Sequence, residues 1–258
     1  MHLEIQDKDR NVVGKSVASG YGCALVHKTG YNEGDQIVIH VPQGGLYQIQ
    51  LDEALGSHIV YLKEEARYAI PCQPAQRTCY PAQAFSGGMH LLTLSKAGQA
   101  GRRNLALNPY DHHRTSGLFP HAKANVETRG EMVFAARNAI DGNFTNHSHG
   151  EYPFESWGIN RDPKAELTLD FGRPVLIDEI RLTIRADWPH DSWWTEASVT
   201  DNEGRTHVFQ LQKDPLPQRF PIKPAVVTSL TLHDLKKEAS DPSPFPALTQ
   251  LEVWGVEA

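Results

Sequence analysis

EMVFAARNAIDGNFTNHSHGEYPFESWGINRDPKAELTLDFG, residues 131–172, decides how this chain is read. It opens with a short helical pattern and passes into Ala139-Ile140-Asp141-Gly142-Asn143, a sharp turn that brings carboxylate and amide oxygens together. A polar loop with histidines and aromatics follows, and Trp157 begins a return to period-two alternation. A ligand-rich loop leading into a strand is the layout expected at the loop end of a β-sandwich.

Strand patterns lie on both sides of this stretch. Downstream, Leu167, Leu169 and Phe171, then Ile180, Leu182 and Ile184, alternate with polar residues. Upstream, Ile37, Ile39 and Val41, then Tyr47, Ile49 and Leu51, do the same, and Pro42-Gln43-Gly44-Gly45 between them reads as a hairpin turn. His58–Lys63 and Gly88–Ala97 continue the pattern, whereas Lys96–Arg103 replaces alternation with glycine, small residues and charge, as a linker does. The expected architecture is all-β, with one β-sandwich over residues 1–101 and a second over 102–258.

The 258 residues are 40% hydrophobic and 22% charged, with a formal net charge of −6. Such a chain affords a core, and its charge gives no reason to expect a nucleic-acid partner. No apolar run approaches the ~20 residues of a membrane span, and MHLEIQDKDR lacks the apolar core of an export signal, so the expectation is a cytoplasmic protein without a membrane partner. Cys23, Cys72 and Cys79 form no CxxC pair. Idle thiols are the expectation, although Cys72 and Cys79 could bridge if oxidised.

The motifs NLA (104–106), ANVE (124–127), NAIDGN (138–143), SW (156–157), AELTLDFGRPVLIDEIRLTIR (165–185), ASVTDNEG (197–204) and LTQLEVWG (248–255) occur in an order and spacing that resembles the discoidin or coagulation-factor type C family. That family includes the family 32 carbohydrate-binding modules. The resemblance covers about residues 102–258 and implies a galactose-binding-like jelly roll whose loops at one end bind a carbohydrate. It further implies a structural calcium ion beside the AIDGN turn, with Asp141 as side-chain ligand helped by carbonyls near Asn138 and Asn143. One position departs from the pattern. Where the family's last strand usually brings a glutamate to the ion, this chain has the neutral Gln250, which should weaken affinity for a hard cation. A purely structural Asx turn at Asp141 is the competing reading.

Two loop clusters carry the candidate ligand-binding residues. The first contains His147, His149 and Tyr152; the second, RADWPHDSWW at 185–194, contains Arg185, Asp187, Trp188, His190, Asp191 and Trp193. A sugar presents a C–H face that packs on an aromatic ring and hydroxyls that suit bidentate polar groups, so this mixture points to reversible sugar binding. Two further readings use the same residues. Asp111, His112, His113, His121, His147, His149, His190 and Asp191 could supply a transition-metal site, and Glu151 or Glu155 with Asp187 or Asp191 an acid/base pair, either making an enzyme acting on a sugar or uronate. Alternatively, exposed aromatics would make the chain an assembly module forming a homo-oligomer. No GxSxG, P-loop or dinucleotide glycine pattern is present in a strand-to-helix setting.

Overall fold

The computed structural model describes residues 1–98, 100–186 and 192–258, with Ser19 described by its backbone alone. The chain divides into two compact units, Met1–Gln99 with Asn108–Phe119, and Ala100–Leu107 with Pro120–Ala258. Among the described residues no helix is long and apolar enough to cross a membrane.

The first unit contains β1 (His2–Gln6), β2 (Val12–Lys15), β3 (Val17–Ser19), β4 (Gly22–His27), β5 (Gln36–His40), β6 (Gly45–Gln50), β7 (His58–Ala69) and β8 (His90–Lys96). After β9 (Arg103–Asn104), which belongs to the second unit, β10 (Ser116–Phe119) returns to pair with β7, so residues 108–119 fold with the first unit and not with the second as the sequence pattern suggests. The strand order is β2-β1-β5-β7-β6-β8-β4-β3. Alternation holds as expected: Leu3, Ile5, Ile37, Ile39, Ile49, Leu92 and Leu94 are buried. Their apolar side chains meet in one core because β1 packs across β4 and β8.

The expected hairpin at Pro42–Gly45 is not formed. β5 and β6 do not pair with each other; both run antiparallel to β7, His40 opposite Glu65 and Gly45 opposite Leu62. Residues 41–44 therefore bulge out of one long strand opposite only Lys63 and Glu64, with Val41 N–H donating to Glu64 O at 2.9 Å. Proline supplies no ladder donor, and a Cβ on Gly44 would lie 2.9 Å from the Tyr61 hydroxyl, so the same residues that could turn a hairpin here bend a strand from one half of the sheet to the other.

The second unit contains β9, β11 (His121–Ala124), β12 (Trp157–Gly158), β13 (Leu167–Ile184), β14 (Trp194–Asp201), β15 (Thr206–Gln210), β16 (Gln218–Lys237) and β17 (Ala247–Glu257). Their order is β12-β17-β13-β16-β14-β15, with β11 on β13 and β9 on β17. β13 is irregular between Asp170 and Val175, so that its first part pairs with β11 and its second with β17. The core gathers Trp157, Leu167, Leu169, Phe171, Ile180, Leu182, Trp194 and Leu251. Both units are thus all-β sandwiches.

On the outer side of the second unit, Glu179 accepts from Arg219 Nε and Nη2 at 3.0 Å each, from Arg102 Nη2 at 3.3 Å and from Arg181 Nε. The Arg219 bonds first, and then those of Arg181, hold its carboxyl down at about 2 against the opposing effect of burial. That depression would correspond to about 3 kcal/mol. Because Arg219 and Arg102 are well exposed, screening reduces the expected contribution to about 1–2 kcal/mol. A depressed acid stabilises the fold above its unfolded value of 4.5 and loses that contribution as pH falls towards 2. Glu179→Gln is accordingly expected to lower stability by about 1–2 kcal/mol at pH 7 and by progressively less below pH 4.5 in urea titrations; an unchanged difference at low pH would refute the assignment.

Candidate functional site

Three short 3-10 turns, Thr128–Gly130, Met132–Phe134 and Ala136–Ile140, lead into the AIDGN turn. They are tied to one another by side chains: Glu127 Oε1 accepts from Ala136 N–H at 2.8 Å, and Asn138 Nδ2 donates to Met132 O at 2.8 Å and Ser156 O at 3.2 Å. Asn138 is therefore a brace, with its side chain fully buried. Asn143 Nδ2 similarly donates to Pro153 O at 2.7 Å and Glu155 Oε1 at 2.9 Å, anchoring the histidine loop to the turn.

At the turn, Gln250 on β17 points its amide into the cluster of oxygens. Nε2 lies 2.7 Å from Asn138 O, 2.8 Å from Asp141 Oδ1 and 2.6 Å from Thr249 O, while Oε1 accepts from Gly142 N–H at 3.0 Å. The orientation of the amide follows from its partners, since the reverse would face an oxygen with three oxygens. Gly142 stands at φ +86°, and a Cβ there would meet Leu107 Cδ1 at 2.7 Å. Asp141 Oδ1 also accepts from Asn143 N–H at 2.9 Å, an Asx turn, and Arg137 Nη1 lies 3.7 Å from Oδ2. Burial pushes the Asp141 carboxyl up to about 8, against the pull of Arg137. Calcium requires about six to eight oxygens around a position free for the ion. Here an amide nitrogen already faces those oxygens, so Asp141, Asn138 and Asn143 do not fit a resident calcium ion, and the expected ligand set is replaced by an internal hydrogen-bond network.

Beside this network lies a cavity of about 160 Å³. Arg185, immediately after β13, enters it with only 2% of its surface exposed; its N–H donates to Ala247 O at 3.0 Å and its Nη1 to Phe154 O at 2.8 Å. His149 and Asn160 line the same cavity, as does Ser156, whose fully buried Oγ has no hydrogen-bond partner among the described residues. Phe134 and Phe245 supply aromatic surface. Each phenyl ring carries a guanidinium, Arg129 5.2 Å from the Phe134 centroid and Arg161 4.2 Å from that of Phe245. Thr128 Oγ1 accepts from Asn160 N–H at 2.9 Å and so fixes the left-handed Asn160, φ +49°, on the cavity wall.

Of the residues expected from sequence, Arg185 and His149 meet in this cavity. His147 instead packs edge-on against Phe154 at 5.0 Å, and Tyr152 is exposed. Trp193 is partly buried against the core and Trp194 is fully buried, so neither is an open platform. Asp187, Trp188, His190 and Asp191 lie outside the described residues. Asp111, His112 and His113 belong to the first unit and His121, His147 and His149 to the second. Glu155 is buried in the turn and Glu151 is exposed, and no carboxylate lines the cavity among the described residues. Sequence reasoning missed Ser156, Asn160, Phe134 and Phe245. Only Phe245 carried a signal, since it stands between Pro244 and Pro246 just before the last strand.

The chain is similar to carbohydrate-binding modules. A chitosan-binding module of a Paenibacillus sp. IK-5 chitosanase/glucanase matches with a TM-score of 0.42 and 16% identity over 60% of this chain and 100% of that one. A family 32 module from C. perfringens NanJ, solved with galactose, matches at 0.39 and 18% over 52% and 91%. A fucose-binding module from Streptococcus pneumoniae matches at 0.41 and 13% over 60% and 99%. No protein-family model and no curated protein matches the chain.

Proposed function

We propose that the second unit binds a single sugar ring, reversibly, in the cavity around Arg185. The observation that carries this reading is a buried guanidinium and the Ser156 hydroxyl, which has no partner among the described residues, in one recess with the side chains of Phe134 and Phe245. Hydroxyls of a pyranose would pair with Arg185, Ser156, His149 and Asn160, and its C–H face would lie on a phenyl ring. At about 160 Å³ the recess is smaller than the ~300–1,000 Å³ typical for drug-sized ligands, which favours one ring over an extended chain. Two arginines and no carboxylate among the described lining residues favour a neutral or anionic ring over a cationic amino sugar. The same absence of a lining carboxylate gives the acid/base reading no support from the described residues.

Calorimetric titration of the whole protein with galactose, glucuronate and glucosamine tests the proposal. Binding of galactose or glucuronate in preference to glucosamine is expected. Arg185→Gln should weaken it about tenfold or more, the loss expected for one or two hydrogen bonds to a charged group. His149→Ala, at a less buried position, serves as the second variant should Arg185→Gln perturb folding. If none of the three sugars binds, or if both variants bind as the parent does, the proposal fails.

A further inference from the structure

The first unit carries a separate cluster. On β1, Leu3 and Ile5 face the core, so His2, Glu4 and Gln6 face the opposite side of the sheet. His2 lies directly opposite His40 on β5, and His40 opposite Glu65 on β7, which places four potential metal-ligating side chains on one face of three neighbouring strands. We propose that His2, Glu4 and His40 form a binding site for a divalent first-row transition cation such as zinc.

The distances support a three-ligand site. His2 Nε2 is 3.4 Å from Glu4 Oε1, His40 Nε2 is 3.9 Å from Glu4 Oε2, and ligand atoms of the three residues lie within 4.8 Å of one another. Ligands about 2.0–2.1 Å from a tetrahedral centre stand roughly 3.4 Å apart, so the first pair is already at the spacing required and the others need small side-chain rotations. Two imidazoles and one carboxylate suit zinc, copper, nickel or cobalt better than calcium or magnesium, which prefer oxygen throughout.

The surroundings orient these ligands. Glu65 Oε2 lies 3.6 Å from His40 Nδ1, while Arg67 holds the other oxygen of Glu65 from the opposite side. A carboxylate near Nδ1, with Nε2 facing Glu4, is the usual outer partner of a metal-bound histidine. The His2 and His40 rings stack with their centroids 4.3 Å apart. In the metal-free form Glu4 is held by Lys15 Nζ at 3.2 Å and Gln6 Nε2 at 3.1 Å. Lys15 is 61% exposed, so an entering cation can displace it at little cost and take over its charge.

The test uses the full chain without an affinity tag, stripped with EDTA and titrated with zinc by calorimetry and with cobalt by visible absorption. One saturable equivalent is expected. His40→Ala and Glu4→Gln should each weaken binding tenfold or more, and Glu65→Gln by a smaller factor. Lys15→Gln should tighten binding, a gain that general loss of structure would not produce. Circular dichroism checks each variant's fold. Absence of a saturable equivalent in the parent protein, or undiminished binding by the double variant His2→Ala/His40→Ala, would overturn the site.

Discussion

Gln250→Ala is expected to lower the stability of the protein by about 3–5 kcal/mol. The substitution removes the donor from Asn138 O and Asp141 Oδ1 and the acceptor from Gly142 N–H. Each buried polar group left without a partner costs about 1–3 kcal/mol, and water has little access to a position where Gln250 is 1% exposed. Gln250→Glu separates the two readings of this turn. It places a carboxylate among oxygens that now face an amide N–H, so without a cation it should be destabilised nearly as much as the alanine variant. With millimolar calcium the same oxygens become a ligand set, and its melting temperature should recover, because an ion bound only by the folded state stabilises it by mass action. The parent protein should melt at the same temperature in calcium and in EDTA, as followed by scanning fluorimetry. A calcium-dependent rise in the parent would show that the amide yields its place to the ion.

This turn also shows how far the residues could be read in advance. Period-two alternation located the core strands because each apolar residue reports its own face, and Leu167, Leu169, Ile180 and Leu182 are buried where that pattern puts them. Pairing partners are a different matter. Pro42-Gln43-Gly44-Gly45 can close a hairpin or bulge from a strand, and the choice depends on β7, a strand long enough to pair with both β5 and β6. At the site, Arg185 and His149 stood out by residue type, but Ser156, Asn160 and Phe245 come from segments without periodicity and are brought together only by the fold. Gln250 was legible as a missing charge. What its other face does, donating a proton-bearing nitrogen to the oxygens a cation would have held, depends on distances that no motif encodes.

Gly158→Ala is expected to damage the cavity and the fold together, lowering stability by up to about 3 kcal/mol, as overpacking in a close-packed interior does. Gly158 forms β12 with Trp157, whose side chain is fully buried and whose Nε1 donates to Val126 O at 3.0 Å. The strand therefore cannot shift outward without pulling an indole from the core. A Cβ at position 158 would sit 2.6 Å from Thr128 Oγ1 and 3.2 Å from Phe134 Cβ and Cδ1. Thr128 is the less able to give way, because Oγ1 holds Asn160 N–H at 2.9 Å and Asn160 is kept left-handed by that bond. Moving the hydroxyl releases Asn160, and moving Phe134 withdraws one aromatic wall, so sugar affinity should fall with stability. Thr128→Val separates the two effects: it removes the hydrogen bond to Asn160 without adding bulk beside Phe134. If binding depends on the Asn160 wall, Thr128→Val should weaken galactose or glucuronate binding while changing the melting temperature less than Gly158→Ala does. Equal binding by Thr128→Val and the parent would assign the loss in Gly158→Ala to Phe134 alone.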